Sequence, residues 1–419
     1  MFNWIKHFKN KELFIALYFL IFIFGISLGI SGSFYNELRV LEFLLVFSFS
    51  ISSVFYNHTL NYKDYLLLFF ILVGMIFWEN SEYIFYESLL LFLLYKSFLF
   101  LKYNENYTKI IIFLSFFIFI MFPFSVYQYL VTGEHINWYP LPWNIRVYDS
   151  YFLIFLILST WFILKEEKLN WIYLIFNYLA LLAILLDGGR SVLLAYTIFT
   201  LCILIFNAEA RKKIALVYTL SWLSFLVIVS YVGAVHPGLN IARLTTSLRY
   251  DLWNHAYKCW IEHPLFGCGF YQLGQYEEFA AHPHNFFIQV LTETGIIGFS
   301  FLTIILISIY KKINWNIKEN YFLIASLSAI FIDMCFSGIH IYPITQVSIL
   351  WLFLFLFKSK ESLDINSFNK GMNFKSLISL LVYMIVFYLF IYLFINTSAL
   401  YKNLALTPPR FWEYGYLIF

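Results

Sequence analysis

Residues 211–235 read RKKIALVYTLSWLSFLVIVSYVGAV: three cations, then 22 residues from Ile214 to Val235 without a charge. A helix rises about 1.5 Å per residue and satisfies its own backbone polar groups, so about 20 apolar residues suffice to cross a bilayer. The Arg211-Lys212-Lys213 cluster then marks the cytoplasmic end of the span. Similar runs precede it at Leu13 to Ile30, Val40 to Phe55, Tyr65 to Trp78, Tyr83 to Leu101, Ile110 to Val131, Tyr151 to Leu164, Trp171 to Leu186 and Val192 to Phe206. Four follow, at Ile296 to Ile309, Phe322 to Ile339, Ile344 to Phe357 and Phe374 to Ile395. The expected fold is an all-α polytopic membrane protein of 12–13 transmembrane helices, several of them shorter than an untilted span.

Composition agrees. The 419 residues are 62% hydrophobic, 23% aromatic and 12% charged, with a mean hydropathy of +0.76, where a soluble domain carries roughly 25% charge. A water-soluble enzyme, a disordered chain and a disulfide scaffold are excluded. The net charge of +3 is near neutral and the cations form no stripe, so nucleic acid gains no support as a partner. The first run leads into glycines without a small-residue cleavage site, which reads as a retained anchor.

Alternating thirteen spans from a cytoplasmic N-terminus places eighteen of the 27 basic residues inside, seventeen of them lysine. The outer segments hold two lysines and six arginines: Arg39, Arg146, Arg190, Arg243, Arg249 and Arg410. Topology needs only charge, so an arginine bias on the outer face suggests use of the planar guanidinium fork, whose preferred partners are oxyanions. For Arg39 and Arg146, pairing with head groups or with acids of the same loops is the favoured reading.

The domain organisation expected is nine helices over 1–235, a large periplasmic loop with short amphipathic helices over 236–285 between spans nine and ten, further helices over 286–396 and a periplasmic tail over 397–419. The loop interleaves Trp253, Trp260, Phe266, Phe270, Tyr271 and Phe279 with Arg249, His255, His263 and Glu277. Seven of the nine histidines fall on this outer side. Cys259 and Cys268 share the loop and could form a disulfide. They form no paired CxxC pattern with the nearby histidines, so no metal is expected.

Three outer segments could carry chemistry. Asp187-Gly188-Gly189-Arg190-Ser191 opens a helix whose N-terminus, glycines and guanidinium suit a phosphate, although a simple turn in which Asp187 neutralises Arg190 is equally open. Arg249 and Trp253 are four apart on one helix face, where they could hold a phosphate and a sugar or stack on each other. His282-Pro283-His284-Asn285 meets a helix start. His284 or Asn285 can cap it, and an imidazole is suited to take a proton at neutral pH. Glu293, nine residues on, should face protein or a water-filled cavity, and so should Asp333.

Gly189-Arg190-Ser191, Arg249 with Trp253 and Ala256, His263-Pro264-Leu265-Phe266-Gly267-Cys268-Gly269, and His282-Pro283-His284-Asn285 with Glu293, Gly295 and Gly298 together resemble the O-antigen ligase and polymerase superfamily of bacterial inner-membrane glycosyltransferases. The resemblance is concentrated in residues 190–298. It implies packed membrane helices around a periplasmic cavity, and a metal-independent, inverting transfer of a glycan from undecaprenyl diphosphate to an acceptor hydroxyl, without a cofactor. It implies His284 as catalytic base, with His282 as an alternate, and Arg190 and Arg249 as binders of the departing diphosphate. Asp187, Trp253, Asn285 and Glu293 are supporting candidates. A lipid A-core sugar is the preferred acceptor, because no sizeable soluble C-terminal domain is present. A second lipid-linked repeat or a protein Ser or Thr would make the chain a polymerase or a protein oligosaccharyltransferase instead. The C-terminal segment leaves outward after a thirteenth span, a departure from the usual twelve. Pro408-Pro409-Arg410-Phe411-Trp412 and Tyr342-Pro343 near His340 are weakly similar to protein-glycosylating members. A transporter or flippase of an anionic substrate is the more distant alternative, disfavoured by few midspan charges and no internal repeat.

Overall fold

The computed structural model describes residues 11–29, 34–56, 58–77, 81–140, 145–165, 170–236, 249–270, 273, 282–358 and 373–396. Its regular structure is helical, with no strand among these residues. The first half runs α1 (Lys11–Phe24), α2 (Phe34–Phe55), α3 (Tyr62–Phe77), α4 (Ser81–Phe100), α5 (Glu105–Leu114), α6 (Phe122–Thr132), α7 (Ile145–Leu164) and α8 (Asn170–Asp187). The second runs α9 (Arg190–Phe206), α10 (Arg211–Val235), α11 (Arg249–Glu262), α12 (Phe286–Tyr310), α13 (Ile317–Phe336), α14 (Pro343–Lys358) and α15 (Phe374–Asn396). Among the described residues, eight helical segments are long and apolar enough to cross a membrane, and α9 and α14 are shorter apolar helices. The chain is therefore a multi-pass α-helical membrane protein.

Each expected apolar run coincides with helix over most of its length, but several boundaries differ, and two of them have a clear local cause. The first helix stops at Phe24, six residues early. Gly25 adopts φ 61°, and the Ile26 N–H donates to Ile21 O at 3.0 Å, a left-handed helix terminus that apolar patterning cannot signal. In the other direction, α12 starts ten residues before Ile296, because Asn285 caps it and its polar residues Gln289, Thr292 and Glu293 are buried against protein. The run from 105 to 132 is one segment in which Ser115–Met121 tightens to a 3-10 helix. Pro123 lies just beyond, with no N–H to donate and a ring that crowds the carbonyl four residues back.

α7 is the centre of the bundle, 89% buried over its membrane-length window, against 17% for α10 and α12. The outer helices accordingly present Leu223, Leu226, Val227, Ile304 and Ile305 outward, as lipid-facing surface requires. Where helices pack on α7, hydroxyls and one amide tie them together. Asn177 of α8 donates to Ser159 of α7 at 2.6 Å and accepts from Tyr196 of α9 at 2.8 Å.

Lysines gather at one end. Lys11 donates to Phe100 O at 3.0 Å, and Lys358 to Leu99 O at 2.9 Å, so both ammonium groups meet carbonyls at the C-terminal end of α4. The arginines near α2, α7, α9 and α11 lie at the other end. Arg39 there is wholly internal: it pairs with Glu42 at 2.6 Å, donates to Tyr35 Oη at 3.2 Å, and bonds Gln346 and the Ile341 carbonyl. It ties α2 to α14, and its acidic partner comes from its own helix instead of a loop.

Of the loop expected over 236–285, the structure describes α11 and the segment to Phe270, with Leu273 and the residues from His282. Arg243, Tyr271, Glu277 and Phe279 lie outside the described residues, as does the tail over 397–419.

Candidate active site

The first turn of α7, the start of α9, α11, the start of α12 and the segment joining α13 to α14 meet at the arginine-bearing end. A strap, residues 263–269, organises the place. α12 is broken at Gly295, where φ is 63° and ψ −164°, which leaves N–H and C=O groups of the helix without their usual partners. The strap supplies them: Ile296 N–H donates to Pro264 O at 2.9 Å, Ile297 N–H to Leu265 O at 3.2 Å, and Cys268 N–H to Thr292 O at 2.9 Å. Such close approach needs glycine on both sides. A Cβ at Gly267 would fall on the backbone of Glu293 and Thr294, and one at Gly295 on Leu265 and Gly267. A disulfide between Cys259 and Cys268, with Cα atoms 5.8 Å apart, fastens the strap to α11. Glu293 is buried beneath it.

α12 begins with Asn285, whose side chain accepts from Phe287 N at 2.9 Å and Ile288 N at 3.0 Å. Asn285 is thus the cap, which leaves His284 free of that task. His284 is the one non-glycine with positive φ among the described residues, at 52°. Its N–H donates to His282 Nδ1 at 3.2 Å, the two rings lie 4.3 Å apart, and Trp253 Nε1 donates to Pro283 O at 2.9 Å. Trp253 therefore anchors the turn from α11, its ring 6.2 Å from Phe336. His282 is buried.

Electrostatics bring the arginines into the same place. Burial, then Arg249 and Arg146, lowers the His284 pKa from 6.5 to about 4. Arg249 is itself lowered, by burial first and then by Arg146 and Arg190. Three guanidinium groups and an imidazole thus share one field. Arg190 is the first residue of α9, behind Gly188 at φ 70° and the cap Gly189, so its charge adds to the positive end of that helix.

Two carboxyl groups lie deeper. Asp333 on α13 accepts from Ser150 of α7 at 3.1 Å and from Ser191 of α9. Asp149 is buried, with no hydrogen bond to either carboxylate oxygen, and a Cβ at Gly189 would collide with it. Asp187 closes α8 at the same end. It accepts from His135 at 2.9 Å, from Trp138 at 3.4 Å and from Tyr139, and so anchors residues 135–139. Among the described residues, no three His, Cys, Asp or Glu side chains gather as a metal site would need.

Arg190, Arg249, His284, His282, Asn285 and Trp253 lie at this one end of the bundle. Arg146, Asp149 and Tyr342 were not singled out for the site. The outward arginine bias already contained Arg146, whereas no local pattern distinguishes Asp149. Tyr342 lies beside Gly338, where a Cβ would stand 3.1 Å from its hydroxyl and 3.3 Å from His282 Cε1.

Fold and site together define a polytopic membrane protein with a cationic, histidine-bearing centre at one end of its bundle. Residues 175–303 match the family model described as O-antigen ligase, so this segment is similar to the O-antigen ligase and polymerase superfamily, whose members are glycosyltransferase-like ligases or polymerases. The matched segment contains Arg190, Arg249, Trp253, His282, His284 and Glu293, whereas Arg146, Asp149, Asp333 and Tyr342 lie beyond it. No curated protein matches the chain.

Proposed function

We propose that this protein is an O-antigen ligase of the bacterial inner membrane. It transfers a glycan en bloc from undecaprenyl diphosphate to a sugar hydroxyl of lipid A-core, with inversion, on the periplasmic face. The observation that carries the reading is the placement of His284 within the field of Arg249, and of Arg249 within that of Arg190, inside the family-matched segment. The lysines at the opposite end support the orientation. A disulfide beside the site suits an oxidising compartment.

The diphosphate is already a good leaving group, so the reaction needs alignment, proton removal and charge compensation rather than a covalent nucleophile. His284 takes the proton of the acceptor hydroxyl as its oxygen attacks the anomeric carbon. The bond from that carbon to the phosphate oxygen breaks with its electron pair going to the diphosphate, and Arg190 and Arg249 hold the resulting charge. Burial and the neighbouring guanidinium groups make His284 a neutral but weak base. An anionic donor offsets the neighbouring guanidinium groups and raises its proton affinity, so the base strengthens when the substrate it serves is present.

Deleting the gene and resolving lipopolysaccharide by gel, beside a glycoprotein stain, tests the assignment. Loss of capped core with His284→Ala failing to restore it is the expected result. Shortened ladders would make the chain a polymerase, altered glycoproteins an oligosaccharyltransferase, and intact glycans accumulating on the cytoplasmic side a flippase.

A further inference from the structure

A non-glycine residue held at positive φ is strained, and persists only where its surroundings impose it. At His284 those surroundings are few and specific: the cap that starts α12 one residue later, the Trp253 bond to Pro283 O, and the bond from its own N–H to His282. Resting on the reading of His284 as the base, we infer that His282 is the positioning residue that sets the backbone of His284, and takes no proton from substrate itself.

The chemistry follows from the direction of the bond. A backbone N–H can only donate, so Nδ1 of His282 accepts, and the ring proton of the neutral imidazole resides on Nε2. Nδ1 of His282 is therefore already engaged by the backbone of His284. The ring is buried, stands edge to face against His284 at 4.3 Å and 67°, and has Gly338 and Tyr342 behind it, with no room for a larger residue at 338 without displacement. Two histidines flanking a proline thus divide the work: the inner one fixes the turn, and the outer one points its imidazole into the arginine field. The feature that distinguishes the two in this arrangement is an acceptor at the Nδ1 position, not an imidazole as such.

That distinction gives the test. Purified His282→Ala, His282→Asn and His282→Gln proteins, with His284→Ala beside them, are assayed for transfer from a lipid-linked glycan, with kcat and donor KM measured separately and melting temperature recorded. Asn places its amide oxygen where Nδ1 lies, whereas Gln places its own near Nε2. His282→Ala is expected to lose about 10²-fold in kcat, the scale of a displaced catalytic group, with donor KM little changed. His282→Asn recovers to within a few-fold of wild type, and His282→Gln does not. If His282→Asn is as inactive as His282→Ala at an unchanged melting temperature, His282 acts on the proton and the inference is wrong. It is equally wrong if Asn and Gln behave alike and activity follows melting temperature, which marks simple packing. Should His282→Ala fail to fold, the Asn and Gln comparison still decides. Wild-type activity in His284→Ala would instead remove the base assignment itself, a separate failure.

Discussion

Gly267 and Gly295 meet backbone to backbone, each at positive φ, and a Cβ on either would enter the main chain of the other's segment. This contact allows the strap to complete the broken α12 and so holds the helix that begins at Asn285. Gly295→Ala and Gly267→Ala should each suffer the backbone cost of about 1–3 kcal/mol plus a collision, giving a large fall in melting temperature and loss of transfer. Gly188, also at positive φ but with nothing within 4 Å of its missing Cβ, is the control. Gly188→Asn should be much milder, since Asn tolerates that region. Thermal unfolding in detergent compares the three, and equal losses would refute the role given to the crossing.

The pH dependence follows from His284. Its folded-state pKa of about 4 lies below the ordinary 6.5. Between those values the unfolded chain binds a proton that the folded chain refuses, so stability falls as pH drops from about 6.5 to 4. His284→Gln removes that contribution, and its melting temperature should fall less over the same window.

Catalysis should report the same group twice. The acidic limb of kcat/KM reflects free enzyme and that of kcat the donor complex. The donor's negative charge offsets Arg249 and Arg146, so the kcat limb should lie at the higher pH. In Arg249→Gln, the kcat/KM limb should itself move up, because a cation that depresses the imidazole is gone. Coincident limbs in wild type would count against a diphosphate beside His284.

Trp253→Phe keeps an aromatic ring near Phe336 but removes the donor to Pro283 O. The loss of one hydrogen bond, about 0.5–1.5 kcal/mol, should lower melting modestly and kcat more, with donor KM nearly constant. A raised donor KM at constant kcat would mean that Trp253 contacts substrate instead.

Cys259 and Cys268 close a short loop, nine residues apart, for which about 2–3 kcal/mol of stabilisation is expected. The double serine variant, or wild type under reductant, should melt earlier and lose transfer as α11 loosens from the strap. Thiol alkylation and mass analysis check the bond directly.

Much of the fold was legible because helix formation in a bilayer is local. Apolar length marks where helices lie, and the lysine distribution marks which ends belong together. Helix ends were read less well, since Gly25 stops α1 by backbone conformation and α12 extends back through buried polar residues. Of the candidate site, Arg190, Arg249 and His284 were visible as residue types placed on one side. Asp187 was seen as a supporting candidate, but its bonds to His135, Trp138 and Tyr139 join distant segments and no spacing announces them. Arg146 was set aside with Arg39, as a cation that pairs with head groups or with acids of the same loops.

By itself the sequence determined the solvent of this protein, its helices, and the end at which guanidinium and imidazole groups collect, all from patterns spanning a few turns. Only the tertiary structure decided which of those groups share a field, which histidine supports the other, and that Ser150 meets Asp333 across 183 residues of chain. Such meetings depend on how helix faces pack, and packing is a property of neighbours in space that no stretch of sequence contains.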